Sequence, residues 1–65
     1  MPFVQVYIWK GRDKATKKKL VENITSAISD TISCPKESVH VIITDTEKEN
    51  WGIGGQLACD KFPDR

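Results

Sequence analysis

The chain has 65 residues, ten Lys and Arg against nine Asp and Glu, and a net charge of +1. So even a balance excludes an electrostatic nucleic-acid footprint, and no apolar stretch approaches the roughly 20 residues that span a membrane. One domain covering 1–65 is all this length allows. Such a chain buries only about 60% of its unfolded surface and needs a further source of stability.

Phe3 to Lys10 reads as a strand, with Val4, Val6 and Ile8 on one face and Phe3, Gln5, Tyr7 and Trp9 on the other. Large apolar residues on both faces imply that both are covered. Gly11 closes the strand and Asp13 caps a helix. Across 14–32, Leu20, Ile24, Ala27 and Ile28 form an apolar stripe that Val21 and Ile32 widen. Pro35 stops the helix, since the residue before a proline is pushed out of the α region. Lys17, Lys18 and Lys19 lie near the helix start, as a solvated face or a contact for an anionic partner.

Val39 to Thr44 is dense in β-branched residues and reads as a second strand. Two strands joined through such a helix make a βαβ unit with parallel strands. Asp45 to Asn50 is polar and turn-forming, Trp51 to Gly55 reads as a glycine-rich turn or short C-terminal hairpin, and 60–65 as a flexible tail. The fold class is therefore α/β (α+β). Two strands and one helix leave sheet faces and edges uncovered, which association with further copies resolves.

Cys34 and Cys59 have no metal-ligand spacing and His40 is the single histidine, so neither a metal nor a Cys-His or Ser-His pair is expected. No secretory segment is legible at the N-terminus. A cytoplasmic protein with reduced thiols, in contact with neither nucleic acid nor membrane, is expected. Gly-Ile-Gly-Gly lacks the lysine of a phosphate loop and a following helix.

Met1-Pro2 carries more. With Met1 removed, Pro2 presents a secondary amine, which serves as a general base if burial or nearby cations bring its pKa towards the working pH. Trp9, Trp51 and Ile53 could supply the burial and Arg12 the charge.

Together, Pro2 to Gly11-Arg12, Ser38-Val-His40-Val-Ile-Ile-Thr44 and Trp51-Gly-Ile53-Gly-Gly55 resemble the 4-oxalocrotonate tautomerase family, in order and spacing, from Pro2 to about Ala58. The resemblance implies a cofactor-independent keto–enol tautomerase of aromatic catabolism, a homohexamer built as a trimer of dimers. It acts on 2-hydroxydienoates such as 2-hydroxymuconate. It assigns Pro2 as catalytic base and acid, and Arg12, from a neighbouring subunit, as the bidentate partner of a substrate carboxylate. Trp51 would keep the site dry, while Trp9, Ser38 and Ile53 would line the pocket.

His40 departs from the pattern, standing where the family carries a second arginine. Imidazole is mostly uncharged at neutral pH and lacks the guanidinium fork. It either fills an exposed strand position, bonds a different substrate, or acts protonated at lower pH. Two other readings remain: a non-catalytic oligomeric scaffold or binding protein of the same fold, and a hydratase resembling the haloacrylate dehalogenases.

Overall fold

The computed structural model describes residues 1–63. Strand β1 (Phe3–Trp9) leads to helix α1 (Lys14–Ile32), then strand β2 (His40–Thr46), a hairpin of β3 (Gly52–Ile53) and β4 (Gln56–Leu57), and a short helix α2 (Ala58–Lys61). β1 and β2 pair in parallel, with Phe3 opposite His40 and Trp9 opposite Thr46, and β3 and β4 pair antiparallel. This is the expected βαβ unit with its hairpin.

The ends of α1 follow from local chemistry. The Asp13 side chain accepts from the Thr16 backbone N–H at 2.9 Å. Hydrogen bonds from the Thr16 side chain, and then from its backbone, hold the Asp13 carboxyl below the usual carboxylate range. At the far end Ser33 takes a left-handed conformation (φ 58°) and closes the helix on the Ser29 carbonyl before Pro35.

Leu20, Val21, Ile24 and Ile28 are half-buried, whereas Ala27 and Ile32 are exposed, so these two lie outside the stripe that the spacing suggested. The inner sheet face offers Val4, Val6 and Ile8 beside Val41 and Ile43, all half-buried. A Lys17–Asp45 ion pair links the helix to β2, which accounts for one lysine of the basic run; Lys18 and Lys19 are exposed. β2 runs two residues beyond Thr44 because Asp45 and Thr46 stay in register with Ile8 and Trp9.

Two glycines make the hairpin possible. Gly54 (φ 60°) and Gly55 (φ 86°) occupy the two central positions of its turn, both in the positive-φ region that a side chain disfavours. Beyond it Ala58–Lys61 form a helical turn, and the Phe62 N–H reaches the Ala58 carbonyl at 2.8 Å. Arg65 lies outside the described residues.

Very little of this subunit is interior. Ala58 is the one fully buried hydrophobic residue among those described. The outer sheet face leaves Phe3, Tyr7 and Ile42 about half exposed or more, so within the single chain β1 is covered on one side. The Cα radius of gyration is 14.7 Å, against about 11 Å for a compact domain of this length. Such a subunit lacks a self-sufficient core.

Candidate active site

The sequence singles out Pro2, Trp9, Arg12, Ser38, His40, Trp51 and Ile53, and the fold sorts six of them into two groups. At the start of the parallel pair, the His40 N–H donates to the Pro2 carbonyl at 3.0 Å, which fixes the two residues side by side. Ser38 closes the turn just before β2, and its hydroxyl donates to the Pro35 carbonyl at 2.8 Å. Pro2 and Ser38 are half-buried and His40 is exposed. Met1 is 90% exposed and acylates the Pro2 nitrogen, which is then an amide without basicity. A basic Pro2 nitrogen would require removal of Met1.

The other group forms where β1 ends. Arg12 donates from Nη1 to the Trp9 carbonyl at 3.0 Å. The Trp9 ring stands edge-on to Trp51, with centroids 5.9 Å apart and planes at 79°. Trp51 is held there by its carbonyl, which accepts from the Ala58 N–H at 2.7 Å. Ile53 follows in β3, half-buried.

Two residues of this second group were absent from the sequence reading. Phe62 packs against Trp9 at 5.7 Å, and the Lys48 ammonium lies 4.8 Å from the Trp9 ring centroid while donating to the Phe62 carbonyl at 3.0 Å. Phe62 follows Ala58 by four residues in an otherwise polar stretch, the one signal that could have revealed it. The indole nitrogen of Trp9 is buried without a hydrogen-bonding partner among the described residues.

The separation of the two groups decides what one chain can do. β1 spans seven residues, and at about 3.3 Å per residue its ends are about 20 Å apart. Pro2 cannot work beside the Arg12 and Trp51 of its own chain. The two groups lie at either end of one strand, and both strands of the two-stranded sheet have a free edge.

The same residues place the chain among known proteins. The sequence pattern of the tautomerase family, described as "Tautomerase enzyme", matches residues 2–61. The chain belongs to the tautomerase family. It is 44% identical over 58 residues to the 2-hydroxymuconate tautomerase of Comamonas testosteroni, covering 89% of this chain and 92% of that one. A 2-hydroxymuconate tautomerase of Pseudomonas putida is 42% identical with the same coverage. Among solved structures, a 4-oxalocrotonate tautomerase isozyme from Methylibium petroleiphilum superposes with a TM-score of 0.84 at 46% identity, over 88% of this chain and 92% of that one. A heterohexameric 4-oxalocrotonate tautomerase from Chloroflexus aurantiacus shares the fold, with a TM-score of 0.88 at 22% identity over 92% of this chain and 97% of that one. The tautomerase chain is accordingly an isomerase. Among its described residues no group of three or more His, Cys, Asp and Glu is placed to hold a metal ion, and no helix is long and apolar enough to cross a membrane.

Proposed function

We propose that this tautomerase ketonises enols of α-keto acids, 2-hydroxydienoates such as 2-hydroxymuconate among them, without a cofactor, in sites shared between subunits of a homohexamer arranged as a trimer of dimers. The observation that carries the proposal is the placement of Pro2 and Arg12 at opposite ends of a strand with a free edge. Antiparallel pairing of β1 with β1 of a second copy brings Pro2 of one chain to the Trp9–Arg12 end of the other.

In that site the Pro2 amine takes the enol proton. The O–H bond breaks and its pair forms the C=O π bond, while the C=C pair takes the proton back from Pro2 at carbon. No electrons are gained or lost. Arg12 holds the substrate carboxylate with its fork and its charge opposes protonation of Pro2, while Trp9 and Trp51 exclude water and disfavour the cationic amine. Ser38 and Ile53 complete the lining, and His40 stands beside Pro2 in the place of the second arginine. The hydratase reading requires paired arginines to stabilise charge on the attacked acid, and Arg12 is the sole arginine among the described residues. Cys34 and Cys59 are both free, which supports a cytoplasmic location.

The test is ketonisation of 2-hydroxymuconate followed by absorbance, using protein sorted by intact mass. Chains lacking methionine turn the enol over, and chains retaining it do not. Equal turnover in the two populations would remove Pro2 from the mechanism, and no turnover in either would leave the scaffold reading standing.

A further inference from the structure

The charges available around the two half-sites limit what a substrate can carry. Arg12 is the single guanidinium among the described residues, set at the Trp9 end of β1. Of the lysines nearby, Lys10 pairs with Glu47 at 3.1 Å on the surface, Lys48 is taken up by the Trp9 ring and the Phe62 carbonyl, and Lys61 lies 5.9 Å from the Phe62 ring centroid; none presents a planar fork. At the Pro2 end stand His40, held to Pro2 through the backbone, and Ser38, whose hydroxyl is spent on Pro35. A molecule bridging Pro2 of one chain and the Trp9 end of another therefore meets, among the described residues, one forked cation. One carboxylate is provided for. A second carboxylate would lose water without gaining a forked partner, which is unfavourable in a site walled by rings.

What the site offers in place of a second guanidinium is aromatic surface. Trp9, Trp51 and Phe62 lie within 6 Å of one another through Trp9, edge-on and tilted. A shallow groove continues from Trp51 past Tyr7, Thr46, Asn50 and Gly52. Rings packed this way accept a further ring by edge-to-face or offset contact.

Resting on the assignment of Pro2 as base, we propose that the preferred substrates are enols of α-keto acids with a single carboxylate and an aryl group at the far end. On this proposal His40 and Trp51 set the preference over linear dicarboxylates. The carboxylate lies on Arg12 and the aryl group against Trp51. His40, lacking a permanent fork, leaves a second carboxylate unheld.

The test compares kcat/KM of the methionine-free oligomer for phenylenolpyruvate and for 2-hydroxymuconate, with Pro2→Ala as the blank. The wild-type chain favours phenylenolpyruvate by about tenfold or more, and His40→Arg moves the ratio at least about tenfold towards the dicarboxylate, chiefly through its KM. Trp51→Leu, checked by light scattering for an unchanged oligomer, lowers the rate with phenylenolpyruvate more than with 2-hydroxymuconate. A wild-type preference for 2-hydroxymuconate, or a ratio that His40→Arg leaves unmoved, overturns the proposal while Pro2 remains the base. Turnover of both enols no faster than the Pro2→Ala blank overturns the base assignment itself, and this preference with it.

Discussion

Pro2→Ala is expected to lower kcat for enol ketonisation by about 10²- to 10⁴-fold, the usual contribution of a positioned general base. The substitution keeps an N-terminal amine once methionine is removed, so the loss measures more than the presence of a nitrogen. Proline's ring fixes the nitrogen at the head of β1, where the Pro2 carbonyl is anchored by the His40 N–H. Alanine keeps that carbonyl and frees the amine to rotate, and a primary amine has its own basicity. Structure elsewhere is untouched, so circular dichroism and oligomer mass should match the parent. A rate equal to that of the parent would assign proton transfer to another group.

The second large effect concerns assembly. Ile42 is 48% exposed in the single chain and lies in register with Gln5 on the face that also carries Phe3 and Tyr7. If that face is covered by other copies, Ile42→Glu places an unpaired carboxylate in an apolar contact, at a cost of several kcal/mol per subunit. With one fully buried hydrophobic residue among those described, the separated chain has no core to fall back on. The expected result is loss of the oligomer on sizing with light scattering, loss of the thermal unfolding transition, and loss of activity. Lys18→Glu, on the exposed side of α1, is the control and should change none of these. A folded Ile42→Glu monomer with a normal transition would show that the subunit is self-sufficient.

Much of this architecture was legible in the residues, for reasons that are local. Asp13 and Pro35 bracket α1 because capping and proline sterics act within a few residues. The glycine pair announced the hairpin because its turn admits little else. The alternation of Val4, Val6 and Ile8 marked the face that α1 covers. Where the reading departed from the structure, the cause was tertiary. Asp45 and Thr46 look like the start of a loop, yet strand pairing and the ion pair to Lys17 keep them in β2. Ala27 and Ile32 have the right spacing but no partner surface within the chain. Phe62 sits in a polar stretch, and its contact with Trp9 needs a whole turn of helix to form first.

For the site, the residue types were readable, and the resemblance already implied that Arg12 comes from a neighbouring subunit. The motifs named Pro2, Arg12, His40 and Trp51 as members of one pocket. Only the fold places Pro2 with His40 and Arg12 with Trp51, a strand's length apart. That geometry is what the proposed site, shared between subunits, requires of each chain.

The most direct measurement of this shared site uses two crippled chains. Pro2→Ala and Arg12→Ala are prepared free of methionine, shown to be inactive alone, then unfolded, mixed in equal amounts and refolded together. If Pro2 and Arg12 come from different chains, half of the Pro2 positions are intact and half of those face an intact Arg12. The mixture then recovers about a quarter of the parent activity per site. If both residues act from one chain, no site in the mixture is complete, and a rate equal to the average of the two inactive variants would contradict the account.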